Sequence, residues 1–299
     1  MIVAILQLIV VQFILPAYFI YSLWRGKYQS RLDWILHGLL ALLVISWGFF
    51  SSPWSWFSYY LRFAWVLLFI VVFIISWRKA RELSFWLNDT GKQKLSLGIS
   101  VLLISIFGMY NVWVFNGFST NEQAIELDFP LKDGWYYVGQ GGNHVQLNYH
   151  QSYPEQKYAL DVLKLNQFGM RATGIYPEQL SKYEIYEDTL YSPCTGEIIE
   201  ARNDLPDLAP PKADLKNPEG NYVKINCKNE NTTILIAHMK KGSILVEAGD
   251  AVKTGQPIGL VGNSGNTTEP HLHIHAEKDG KGVPIRFDGK FLVRNSLVW

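Results

Sequence analysis

Gly262-Asn-Ser-Gly-Asn-Thr-Thr-Glu-Pro-His-Leu-His-Ile-His-Ala-Glu277 sets His271, His273 and His275 in alternation with Leu272, Ile274 and Ala276. A period of two marks a β-strand with one apolar face and one chemical face. The three imidazoles then project to the same side of the strand. A single histidine in such a run is usually core filling. Three of them, following a Gly/Asn/Pro-rich turn and sharing a domain with carboxylates, point to metal-site chemistry.

The chain around this strand divides by composition. Residues 1–118 hold nine Lys/Arg against three Asp/Glu, whereas residues 119–299 hold 18 against 23. The whole carries a formal charge of +1, which offers no nucleic-acid footprint. Four apolar runs fill the first part, at about 2–23, 34–50, 56–77 and 95–115. Each approaches the ~20 residues that cross a lipid bilayer. Pro16 in the first run is tolerable in a membrane helix. That run lacks a basic leader and a small-residue cleavage site, so it is expected to span and not to be a signal peptide. The short second run is also compatible with a buried or re-entrant helix.

Loop charges give an orientation. Arg25, Lys27 and Arg31 lie between the first two runs, and Arg78, Lys79, Arg81, Lys92 and Lys94 between the last two. The positive-inside rule puts both loops in the cytoplasm, so the N-terminus and the C-terminal domain are expected outside. Trp24, Trp34, Trp54, Trp56 and Trp77 near the run ends suit an aromatic belt. Arg62 is expected to snorkel to the interface and His37 to be interfacial. No Asp or Glu occupies an apolar centre, which favours an anchor over a transporter.

Residues 119–134 read as a linker and 135–299 as a β-rich domain. Strands are expected at Trp135–Val138, Val145–Tyr149, Gly196–Ala201, Asn221–Cys227, Thr232–Ala237, Ile258–Val261 and His271–Glu277. Leu165–Asp188 and Asn203–Glu219 read as insertions. The helical HExxH motif is absent, so further ligands must come from His144, His150, Asp161 and His238. Asp161 stands in an apolar Tyr-Ala-Leu-Asp-Val-Leu run, a costly place for an unpartnered carboxylate. His238 ends the apolar run Thr-Ile-Leu-Ile-Ala-His.

Three segments together resemble the lysostaphin/LytM-type zinc endopeptidases of bacterial peptidoglycan. They are Tyr191-Ser-Pro-Cys-Thr-Gly-Glu-Ile-Ile, Gly220-Asn-Tyr-Val-Lys-Ile with Ile236-Ala-His-Met, and Gly249-Asp-Ala-Val-Lys-Thr-Gly-Gln-Pro-Ile-Gly leading into Pro270-His-Leu-His. The resemblance implies an antiparallel, duplicated-hybrid-motif-like peptidase fold after a four-helix transmembrane region. It also implies one Zn2+ held by His150, Asp161 and His273, with His238 and His271 as catalytic histidines. One imidazole would take a proton from water and the other would stabilise the oxyanion.

Two positions depart from the family pattern. The first histidine and the aspartate usually stand four apart, but His150 and Asp161 stand eleven apart. The Asn148-Tyr-His150 triplet ahead of Tyr-Ala-Leu-Asp resembles a longer form of the motif. His144 therefore competes with His150 for the ligand position. His275 replaces a common Glu and is expected beside the ligands or against the substrate.

The hairpin around Val246–Ile258 also resembles lipoyl carrier domains, which have no use for the histidine set. Cys194 and Cys227, on expected strands of an external domain, are expected to pair as a disulfide. The expected activity is membrane-anchored hydrolysis of peptidoglycan peptides. Two alternatives stay open: a non-catalytic wall-binding regulator, and a peptidase acting on a secreted peptide or protein.

Overall fold

The computed structural model describes residues 2–86, 91–228 and 232–299. It separates into two compact units, Met1–Trp54 with Ser58–Phe115, and Ser55–Phe57 with Asn116–Trp299.

The first unit is helical: α1 (Ile2–Ile9), α2 (Leu15–Arg25), α3 (Arg31–Ser51), α4 (Leu61–Ala80) and α5 (Gly91–Asn116). A π turn over Val10–Ile14 joins α1 to α2 into one span. Pro16 comes just after this turn, where the widened backbone takes up the missing N–H. Among the described residues, four helical stretches are long and apolar enough to cross a membrane. Ser30 starts α3 by accepting a hydrogen bond from Asp33 N at 3.1 Å. Leu23, Trp34, Ala41, Ile45, Val72 and Ala80 form the packed interior, where Trp34 Nε1 donates to Ser76 Oγ at 2.9 Å.

Two expectations change in this unit. The third span begins at Leu61 and not near Trp56, because Trp54–Trp56 forms a tight turn after Pro53. Arg62 does not snorkel: it is buried, with its guanidinium over the rings of Phe49, Tyr59 and Phe63 at 4.2–4.9 Å. Aromatic faces offer the cation an electrostatic partner in place of water. Lys92 and Lys94 lie outside the residues whose side chains are described.

The second unit holds the strands. They are β1 (Ile125–Leu127), β2 (Trp135–Gln140), β3 (Leu160–Leu165), β4 (Thr189–Tyr191), β5 (Gly196–Arg202), β6 (Asn221–Cys227) and β7 (Thr232–Met239), followed by β8 (Ala251–Val252), β9 (Pro257–Leu260), β10 (Leu272–Lys278), β11 (Lys281–Val283), β12 (Ile285–Phe287), β13 (Lys290–Phe291) and β14 (Leu297–Val298). The main sheet runs β14-β2-β3-β10-β7-β6-β5-β8, with β11 beside β10. Its pairings are antiparallel. Leu272 and Ile274 of β10, Ile234 and Ile236 of β7, and Val223 and Ile225 of β6 are fully buried on its apolar side. Each such side chain contributes about 1.5–3 kcal/mol by leaving water.

The expected strand at Val145–Tyr149 does not form. Asn148 takes over that backbone: its buried side chain accepts from His150 N at 3.2 Å and donates to Ala159 O at 3.0 Å, starting a 3-10 turn at Tyr149–Ser152. Within the stretch expected as a linker, β1 pairs in parallel with β12 and buries Ile125 and Leu127. Cys194 and Cys227 form a disulfide that ties the approach to β5 to the end of β6.

Candidate active site

β3 and β10 are neighbours, and their register sets Asp161 opposite His273. Next to this pair, β2 carries an irregularity between Val138 and Gln140, so that Gln140 faces Asp161. Asp161 Oδ1 lies 2.9 Å from His273 Nδ1, and His150 Nε2 lies 3.1 Å from both carboxylate oxygens. The turn begun by Asn148 delivers His150, whose ring stacks on Tyr149 with centroids 4.0 Å apart. All three groups are buried.

His271 and His238 flank this trio. His271 Nδ1 donates to Glu269 O at 2.8 Å, and its Nε2 stands 3.5 Å from Asp161 Oδ1. His238 Nδ1 donates to Ser264 O at 2.9 Å. A carbonyl can only accept, so each ring carries a proton on Nδ1, and the Nε2 of His271 faces the Asp161 carboxylate. The two ring centroids are 4.9 Å apart. His238 adopts the left-handed region, φ 59°, rare for a side-chain-bearing residue and often tied to function.

Charge states follow from burial and neighbours. Burial disfavours the Asp161 carboxylate, yet the His150 and His271 imidazoles overcome it and hold Asp161 well below the ordinary range. Burial, then the nearby His271 and His273, push His238 well below the usual histidine value. Burial acts in the same direction on His271, but the Asp161 carboxylate outweighs it and leaves that ring raised. Burial lowers His273, and lowers His275 further with His273 beside it.

The donor chemistry fits a metal. His150, Asp161 and His273 offer one ligand atom each within 4.8 Å of one another, as do His238, His271 and His273. The 2.9 and 3.1 Å separations around Asp161 lie near the ~3.3 Å edge of a tetrahedron with zinc-like bonds of about 2 Å. His275 Nδ1 lies 3.0 Å from His273 Nε2, a partner that fixes the orientation of the His273 ring. His144 belongs to neither group, and its Nδ1 accepts from Gln146 N at 3.2 Å. The site opens into a cleft of ≈ 260 Å³ walled by Tyr149, Tyr153, Glu219 and Asn266 among others.

Sequence reasoning passed over Arg171 and Glu269, which are paired at 2.6 Å beside the His271 turn. An acidic residue directly before Pro270-His-Leu-His was the available signal. Nothing local marked Arg171, 98 residues away.

Comparison with known proteins matches residues 184–285 to the model for Peptidase family M23. Peptidoglycan DD-endopeptidase ShyA of Vibrio cholerae is 42% identical over 64 residues, spanning 21% of this chain and 14% of that protein. An uncharacterized metalloprotease of Haemophilus influenzae is 41% identical over 64 residues, spanning 21% and 13%. The chain thus covers under a sixth of the length of these relatives. The crystal structure of a zinc-containing peptidase from Vibrio cholerae aligns with 54% of this chain and 39% of that one, at 22% identity and a TM-score of 0.32. His238, His271 and His273 fall inside the region that matches the Peptidase family M23 model, whereas His150 and Asp161 lie ahead of it.

Proposed function

We propose that the protein is a membrane-anchored zinc metalloendopeptidase that cuts peptide bonds in peptidoglycan stem peptides or cross-bridges. In this reading residues 1–118 are the anchor, 119–134 lead out of it, and 135–299 are the peptidase domain. The basic loops face the cytoplasm, and the N-terminus and the peptidase domain face the wall. Tethering confines hydrolysis to the wall nearest the membrane. The likeness to a peptidoglycan DD-endopeptidase supports this substrate class.

One observation carries the proposal: the buried donors His150, Asp161 and His273 converge while His238 and His271, each held through Nδ1, stand beside them. His150, Asp161 and His273 would hold Zn2+, which supplies a Lewis acid and lowers the pKa of water. His238 and His271 are the proton-handling groups. Each can accept a proton at Nε2 and, once protonated, donate a hydrogen bond to a developing oxyanion. The Nδ1 bonds to Ser264 and Glu269 keep both rings oriented for that exchange.

The test is release of new amino termini from purified sacculi by the full-length protein in detergent, with the Asp161→Ala variant as control. Release that depends on Asp161 and stops with a zinc chelator supports the assignment. A zinc-loaded, folded protein that releases nothing from sacculi of varied cross-bridge chemistry overturns the substrate class.

A further inference from the structure

Arg171 lies ahead of the region matched to the M23 family, in the segment that follows β3. It is 4% exposed, and all three guanidinium nitrogens are engaged. Nη1 donates to Glu269 Oε1 at 2.6 Å, while Nε and Nη2 donate to Ser55 Oγ at 2.9 and 2.7 Å. The guanidinium plane stands over the Trp56 ring at 4.6 Å. Ser55 and Trp56 belong to the same compact unit as Arg171. Glu269 Oε2 is buried with no hydrogen-bond partner among the described residues.

Stability is a weak account of this arrangement. A buried ion pair costs desolvation that its attraction rarely repays, and apolar residues of similar volume often do as well or better. A carboxylate oxygen without a partner adds to the cost. The location is more informative. The carbonyl of Glu269 accepts from both His271 Nδ1 at 2.8 Å and Thr267 Oγ1 at 2.7 Å. The peptide that sets the tautomer and rotation of His271 is therefore anchored by its own side chain to Arg171.

We infer that Arg171 is a positioning residue, which acts through Glu269 to hold the His271 ring with Nε2 toward the metal-binding group. The inference rests on the peptidase reading for its consequence in catalysis, but not for the orientation of the ring. It gives this chain a control on the histidine turn that comes from outside the matched family region.

The experiment compares full-length wild type, Arg171→Met, Arg171→Lys and the Arg171→Met/Glu269→Leu double variant. Two readouts are taken: turnover on sacculi per bound zinc, and histidine-ring 15N NMR of protein in lipid. Misplacement of a reacting group by about 1 Å costs on the order of 100-fold. Arg171→Met is expected to lose ~10–100-fold in kcat with KM and zinc content unchanged. Its His271 signal moves from the pure Nδ1–H tautomer to a mixture. Arg171→Lys keeps the charge on Glu269 and recovers part of both. The double variant recovers thermal stability without recovering kcat or the tautomer. If the double variant keeps a pure Nδ1–H tautomer and wild-type turnover, the pair is merely structural and the inference falls. Where Arg171→Met fails to fold, the double and Lys variants decide alone. A wild type that releases nothing from sacculi removes the peptidoglycan reading, and the NMR comparison still decides the positioning role.

Discussion

His273 on β10 stands directly across the antiparallel register from Asp161 on β3, with Nδ1 2.9 Å from Oδ1. Two donors are thus fixed by strand pairing itself, the most rigid means the fold offers. The third, His150, arrives on a turn that Asn148 holds to Ala159 O. The site therefore joins a half set by strand register to a half set by a turn that a buried side chain holds.

Removing the carboxylate should empty the metal group. Asp161 is the only acidic donor in either candidate set, and without it no anionic charge balances the ion at the centre. Asp161→Ala is expected to lower bound zinc from about one per chain to background by elemental analysis, whereas His144→Ala leaves it unchanged. Full zinc in Asp161→Ala would assign the ion to the His238, His271 and His273 set instead.

His275 should tune affinity without being a ligand. Its Nδ1 faces His273 Nε2 at 3.0 Å, so it accepts a hydrogen bond from the Nε2–H of a ring whose Nδ1 faces Asp161. Loss of such a partner typically weakens metal binding ~10–100-fold. His275→Ala should show that loss in a competitive chelator titration, while His275→Glu, which also accepts, stays near wild type. Equal affinity in all three proteins would make His275 a packing residue.

His238 carries a left-handed backbone, φ 59°, at the end of β7. That conformation costs an L-residue roughly 1–2 kcal/mol, and glycine escapes the penalty. His238→Gly is therefore expected to lose about 10²–10⁴-fold in peptidase activity as a proton-handling group is removed. Its thermal midpoint should stay within about 4 °C of wild type, because strain relief offsets the lost contacts. A large fall in midpoint with activity retained would make the histidine structural.

How legible each part was depends on the range of the interaction that forms it. The alternation of His271–Ala276 exposed β10 because a strand's two faces are written locally. β3 was missed as a strand because Asp161 interrupts its apolar run, although it sits centrally between β2 and β10. Val145–Tyr149 misled for the opposite reason: its apolar residues suggest a strand, but the buried Asn148 amide claims the backbone for a turn. The two- and three-residue strands after Lys281 are too short to show any period. At the site, the eleven-residue spacing of His150 and Asp161 could be interpreted only through the resemblance of Asn148-Tyr-His150 to a longer family motif, because the turn that brings His150 to Asp161 leaves no local period. Arg171 could not, since only tertiary packing brings it to Glu269.

The disulfide should stabilise the domain without touching its chemistry. Cys194 and Cys227 are 33 residues apart, and closing a loop of that size removes unfolded-state entropy of about 3–4 kcal/mol. Cys227 pairs with Thr232 at one end of β7, and His238 lies near the other. Six residues of strand put about 20 Å between them. Reduction of the wild type should therefore lower its thermal midpoint by roughly 10 °C and leave bound zinc unchanged below the transition. Cys194→Ser/Cys227→Ser should melt at the reduced midpoint and ignore reductant. A double variant that melts with the oxidised wild type would show that the bond adds nothing to stability, leaving packing around β5 and β6 to hold that end of the sheet.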